Sequence, residues 1–266
     1  MGRGWTFDDI EEQTAISISV HHKFFHTFIE FGSTTLYSMH VITPVNLAEA
    51  QTNMAEYAEV GFPDCVGSTD CTHITTERCE YNLKNNHLGT KSSHTTRTFH
   101  LTCYHTRQIL HTTCGGPGCW NDMTMVRFDT FLTDVRAGRI LTDKEFELLS
   151  YDKEGNVISV RYNGVYVIVD NGYLAWSCTD PPISITYKID KTKWSRWVES
   201  MRKDVECTFG ILKGRWRILK TGVRVYGVDK VDEIWLTCCA LHNWLLDIDG
   251  ISGQWNDGVL GSNWDG

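Results

Sequence analysis

Trp194, Trp197, Val198, Met201, Val205, Phe209 and Leu212 recur at spacings of three and four, which lays an apolar face along one amphipathic helix. Upstream of it, residues 165–169 run without a polar break, the pattern of a strand covered on both faces. Asn171-Gly172 ends that run and leaves Asp170 at the strand's carboxyl end. Strict alternation appears where Phe99, Leu101 and Cys103 interleave with His100, Thr102 and Tyr104; with residues 108–113 after a short turn, it predicts a hairpin. Residues 61–74 read as a strand that delivers Asp70, and a second hairpin around Glu154-Gly155-Asn156 precedes 165–169. Helical spacing returns after Gly115-Gly116-Pro117-Gly118. There Asn121 or Asp122 can cap a helix whose inward face is Met125, Phe128, Leu132 and Val135. Residues 47–60 predict a short helix, and 232–246 an apolar core helix.

Near the N-terminus, residues 6–31 predict two short helices. Thr6 caps the first, with Asp9 completing a capping box. Ser17 or Ser19 caps the second, Val20, Phe24, Phe28 and Phe31 form its apolar stripe, and Gly32 ends it. Two readings stand. The pair is a helix-turn-helix that presents His21, His22 and Lys23 to DNA but lacks a first helix, or an α-hairpin that only packs on the main body.

Composition narrows the class. The 266 residues are 41% hydrophobic and 12% aromatic, enough for a large core. The net charge of −8 argues against a general polyanion binder. It is unevenly spread: residues 1–60 hold two bases and eight acids, and 188–220 hold ten bases and four acids. No apolar run reaches the length of a membrane span, and the N-terminus turns acidic where a signal peptide would be apolar. Ten cysteines form no C-x-x-C pair, so reduced, mostly buried thiols are expected rather than a zinc framework or disulfides. The organisation expected is a helical segment over 1–45, a main domain over 60–247 and a flexible acidic tail over 248–266.

The acids then give the chemistry. Asp70 and Asp170 at strand ends, with Glu206 on the following helix, bring three oxygen ligands to one edge of a sheet. Hard divalent cations such as Mg²⁺ and Mn²⁺ take such ligands, and clustered carboxylates without a cation would repel one another. Arg202 and Lys203 lie four and three residues before Glu206, and Lys213 and Arg217 lie seven and eleven after it. That spacing predicts a cationic stripe on Glu206's side of the helix; with Arg215 it would steer a phosphate backbone. An ordinary solvated helix face with intrahelical ion pairs is the plain alternative.

Four blocks decide between them. Gly67-Ser68-Thr69-Asp70-Cys71-Thr72-His73-Ile74, Pro117-Gly118-Cys119-Trp120-Asn121-Asp122, Val169-Asp170-Asn171-Gly172-Tyr173 and the run from Val205-Glu206 through Phe209-Gly210-Ile211-Leu212-Lys213-Gly214-Arg215-Trp216-Arg217 together resemble the PIF/Harbinger superfamily of DDE transposases. Cys238-Cys239-Ala240-Leu241-His242-Asn243 resembles the family's closing helix. The resemblance implies an α/β, RNase H-like catalytic domain with a mixed central sheet flanked by helices. It also implies two divalent metals, Mg²⁺ or Mn²⁺, on Asp70, Asp170 and Glu206, with Asp122 and His73 supporting them. DNA would be the substrate, contacted by Arg202, Lys203, Lys213, Arg215 and Arg217. A Myb-like DNA-binding protein would be a partner in trans, a homo-oligomer is compatible, and the nucleus is the expected location. Cys71 departs from the family's usual glycine. The rival reading is a transposase-derived module that keeps the fold for binding alone.

Overall fold

The computed structural model describes residues 2–89, 93–142, 144–183 and 188–250. Residues 251–266 of the expected tail lie outside them. The run of small and β-branched residues around Asp70 forms the central strand, β1 (Cys65–Thr75). It pairs antiparallel with β2 (Thr96–Cys103), which in turn pairs antiparallel with β3 (Ile109–Thr112) and with the short β4 (Gly116–Pro117). On its other side β1 runs parallel to β7 (Tyr166–Ile168), and β7 runs parallel to β8 (Thr179–Asp180). The sheet is therefore mixed, in the order β3-β2-β1-β7-β8. Helices flank it, and the architecture is that of an RNase H-like domain. The second hairpin, β5 (Glu145–Tyr151) with β6 (Val157–Asn163), forms a separate two-stranded sheet before β7.

Both faces of the central strands are covered. All eight residues of β2 are buried, as are Val165 through Val169. One face packs on α8 (Ile189–Arg215), the helix read from the Trp194–Leu212 spacing, with Val198, Val205, Phe209 and Leu212 turned inward. The apolar helix α10 (Val228–Asp249) stacks Trp235 on Phe99 at 4.7 Å between ring centroids. The Trp235 indole N–H donates to Thr112 at 2.9 Å, so the buried ring keeps its polar atom satisfied. No described helix is long and apolar enough to cross a membrane. All ten cysteines are free, though only half of them are buried.

Several local expectations shift. Thr6 and Asp9 form the expected capping box on α1 (Phe7–Thr14). Ser17 occupies the cap position of α2 (Ile18–Phe31) without donating or accepting a capping bond. Gly32 does not end α2; it is helical, and the chain continues through a π-helical turn (Gly32–Leu36) into α3 (Tyr37–His40). The glycine serves close packing instead. A Cβ there would stand 2.4 Å from Thr237 of α10, whose hydroxyl donates to the Ile29 carbonyl. The stripe of Val20, Phe24, Phe28 and Phe31 holds only in part: Phe28 packs on the core, but Val20, Phe24 and Phe31 are exposed, and the inward face is Phe25, Phe28 and the buried Ile29. His22 lies against Phe7 and His21 is hydrogen-bonded to Thr14, so both histidines take part in the α1–α2 contact, while His22 and Lys23 are exposed.

The helix read over 47–60 is present as α4 (Leu47–Glu59), capped by Asn46, and a single turn, α5 (Lys84–His87), precedes β2. The helix expected from residue 121 onward is broken in two. α6 (Asp122–Met125) passes into a single 3-10 turn (Val126–Phe128), and α7 (Thr130–Arg136) restarts behind it. Asp129 causes the restart, because its carboxylate accepts from the Leu132 N–H at 2.7 Å as a cap. The reset of phase leaves Phe128 exposed instead of inward.

Candidate active site

Parallel pairing aligns the two aspartate strands. Ser68 of β1 sits opposite Ile168 of β7, so Asp70 and Asp170 fall two residues beyond the same level; Asp170 lies past the carboxyl end of β7, whereas Asp70, expected at a strand end, stands midway along β1, which continues to Thr75 in its pairing with β2. β1 runs on past β7 and gives Asp70 a partly buried position, whereas Asp170 opens the turn that follows β7. In that turn the Gly172 N–H donates back to the Asp170 carboxylate. A side chain at Gly172 would begin 2.9 Å from Asp170 Oδ1 and 3.6 Å from Asp122 Oδ2. The glycine thus keeps open the space on which those two carboxylates converge.

Asp70 is held from two sides. Its Oδ1 accepts from the Cys71 N–H at 2.7 Å, and its Oδ2 accepts from Arg202 Nη1 at 3.0 Å. Burial pushes its carboxyl up to about 6; the Cys71 N–H and the Arg202 guanidinium oppose the rise, and the charges of Asp122 and Asp170 add to it. The second prong of Arg202, Nη2, reaches Glu206 Oε1 one helical turn later at 2.6 Å. One guanidinium therefore joins Asp70 to Glu206. Asp170, Glu199, Arg202, Lys203 and Glu206, with Asn171 and Pro182, line an open cleft of about 240 Å³ beside this bridge.

Asp122 is nearer the chemistry than a helix cap would be. Asn121 is the cap, accepting from the Thr124 N–H at 2.9 Å, and Asp122 occupies the first helical position. Its carboxylate faces Cys71 and the Asp170 turn. Cys71 itself accepts from the Tyr173 hydroxyl at 3.7 Å, and burial drives its thiol well above the usual range. The Cys71 side chain thus packs on the Tyr173 side, while Asp70, one residue earlier on the strand, meets α8 on the opposite face. His73 bonds to Thr96 and Thr98 on β2.

The basic stripe divides. Lys203 is exposed at the cleft. Lys213 is not; its ammonium donates to Thr72 at 2.8 Å and to the His73 carbonyl at 3.3 Å, and burial lowers its pKa. Arg215 lies near His242 and Asp249. Trp216 leaves helical geometry with φ −114° and ψ 87°, so Arg217 belongs to a new helix, α9 (Arg217–Thr221), and no longer follows Glu206's face. Spacing alone projected one straight helix through a break that it does not mark.

Among the described residues, no three His, Cys, Asp or Glu side chains stand together closely enough to hold a metal ion. The donor set nonetheless suits a hard divalent cation. It is all oxygen, it lies on one sheet edge, and the place between Asp70 and Glu206 already receives a positive charge from Arg202. Sequence reasoning passed over Glu199 and Tyr173. Glu199 lies seven residues before Glu206, a repeat that would have put it on the same helix face.

Asp180, at the neighbouring strand end, was also missed. Its Oδ2 is buried without a hydrogen-bond partner, and burial raises its carboxyl to about 6. Because the folded value lies above the unfolded one, the charged form weakens the fold as pH rises from about 4 to 6. Asp180→Asn is therefore expected to stabilise the chain by about 2 kcal/mol at pH 7.5 and to change little at pH 4. Urea titrations at the two pH values check this, and an equal gain at both would refute the account.

Comparison with known proteins places the chain. The family model for plant transposon proteins matches residues 46–251. Protein ALP1-like from Arabidopsis thaliana is 22% identical over 212 residues, which cover 79% of this chain and 49% of that protein. The chain thus spans about half the length of the curated relative it matches. No solved structure matches significantly.

Proposed function

From the premise that the chain belongs to the plant transposon protein family, of Harbinger-type transposase descent, we propose that it is a metal-dependent DNA endonuclease of the DDE transposase kind. The observation that carries the reading is the parallel register that sets Asp70 of β1 and Asp170 after β7 at one level, with Glu206 brought to Asp70 through Arg202. Asp70, Asp170 and Glu206 would hold Mg²⁺ or Mn²⁺, and Asp122 would complete the acidic wall beside Gly172. Divalent cations bound there supply the charge that stabilises the attacking and leaving oxygens of an in-line phosphoryl transfer. The protein's own part is positional. The Cys71 N–H fixes one Asp70 oxygen, the Gly172 N–H fixes Asp170, and Lys203 offers an exposed charge to a phosphate entering the cleft. Residence in the nucleus and a Myb-like protein in trans accord with a DNA substrate.

A second reading draws on the Arg202 bridge, which offsets part of the charge of Asp70 and Glu206 with no metal needed. It describes a transposase-derived module that binds DNA or protein without cleaving. Nicking of supercoiled plasmid separates the two. The enzyme reading expects nicks that appear with Mn²⁺ or Mg²⁺ and vanish with a chelator; DNA binding without nicking under either condition favours the binding module.

A further inference from the structure

We infer that Arg202 is a built-in counter-cation of the carboxylate site, and that a divalent metal enters by displacing its guanidinium. The inference rests on the metal-site reading above and goes beyond it, because it says what the site contains before metal arrives. Both oxygens of Asp70 are taken: Oδ1 by the Cys71 N–H at 2.7 Å and Oδ2 by Arg202 at 3.0 Å. Only the second partner can leave without moving the backbone of β1. A cation that binds Asp70 at Oδ2 would meet the positive guanidinium on the same oxygen, and like charges that close repel. The same displacement releases Glu206, since the other prong of that guanidinium holds it at 2.6 Å.

The two carboxylates differ in freedom. The Asp70 side chain is 16% exposed and that of Glu206 48% exposed. Glu206 can reorient toward an incoming ion, whereas Asp70 waits in place. Lys203, one residue on, cannot stand in for Arg202; it is exposed, and a single ammonium does not bridge two acids as a planar fork does. Without Arg202, Asp70 would face Asp122 and Asp170 with no cation among them, and like charges so placed repel. The bridge therefore stabilises the metal-free protein and competes with the metal, through the same two contacts.

Mn²⁺ binding by calorimetry, paired with thermal melts in chelator and in Mn²⁺, tests the displacement on the whole chain. Arg202→Gln is expected to bind Mn²⁺ at least about tenfold more tightly than wild type, the scale on which a direct neighbour tunes a metal site. Its melting temperature in chelator should fall and should recover with Mn²⁺ by more than wild type gains. Lys203→Gln removes the same charge from the cleft without touching the bridge, and should raise the affinity by less than Arg202→Gln does and leave the melting temperature in chelator near that of wild type. Arg202→Lys, which keeps the charge, should lie between wild type and Arg202→Gln and covers the case in which the glutamine variant fails to fold. Affinity unchanged in both Arg202 variants, or raised equally by Lys203→Gln, overturns the displacement while leaving the metal site standing. No Mn²⁺ binding by any form at millimolar concentration overturns the metal site and the displacement with it.

Discussion

Replacing Asp129 with alanine is expected to cost the fold about 3–5 kcal/mol, the scale for removing one partner of a buried, hydrogen-bonded charge. Asp129 and His100 are both fully buried, and the His100 ring reaches the carboxylate at 2.7 Å. The other ring nitrogen of His100 meets the Thr69 hydroxyl at 3.0 Å, so the chain Asp129–His100–Thr69 crosses from α7 through β2 to β1. His111 adds a third contact at 3.7 Å. Burial works to raise the Asp129 carboxyl, yet the two histidines and the Leu132 N–H together hold it below its ordinary value. A depressed value in the folded state stabilises above the ordinary carboxylate range and is lost as pH falls through it. The alanine variant loses the ion pair and the cap of α7 together. An asparagine in the same place would keep the capping oxygen and lose the charge, so Asp129→Asn should cost about 1 kcal/mol less than Asp129→Ala. Urea midpoints for the two variants measure the difference. Loss of less than about 1 kcal/mol in Asp129→Ala would show that the pair contributes nothing net.

That buried pair also shows where the sequence is mute. Alternation over residues 99–104 gives β2 correctly, but His100 and Thr102 read as the solvent side of a half-covered strand. They are buried because α7 lies over that face, and no local spacing announces a helix thirty residues away. The same limit explains Arg97 with Asp232 and Arg107 with Asp204, buried ion pairs made between elements far apart in the chain. By contrast, β7 and α8 were legible because each carries its own signature: an unbroken β-branched run for the strand, and three-and-four spacing for the helix. Asp170 and Glu206 were legible as candidates because one follows a strand and the other stands on a helix face, whereas Asp70, read at a strand end, lies midway along β1. The role of Arg202 was not legible. Its position four residues before Glu206 fits a pair on the helix equally well as a contact to DNA, and only the packing of α8 on β1 shows that it also reaches Asp70. Asn121 and Asp122 both read as possible caps for a similar reason, since two adjacent cap formers cannot be ranked without the turn they enter.

Glu206→Gln is expected to separate catalysis from folding. Glu206 is half exposed, and its only described ion pair runs along the helix to Arg202. Neutralising it should change stability by about 0.5 kcal/mol or less, as for other exposed pairs four residues apart. The glutamine keeps the shape and the hydrogen-bonding oxygen but not the charge that a hard cation requires. Loss of that charge at a site built to stabilise phosphoryl transfer should remove about 4 kcal/mol of transition-state stabilisation, roughly a 10³-fold fall in metal-dependent nicking. DNA affinity should hold or rise, because one negative charge has left the cleft beside Lys203. The three readings point the same way only if Glu206 acts in the chemistry. A structural role would lower the melting temperature along with the rate, and a role in DNA contact would weaken binding along with it. Nicking by Glu206→Gln at the wild-type rate, with DNA binding and melting temperature both unchanged, would remove Glu206 from the site and leave Asp70, Asp122 and Asp170 as the acids to test next.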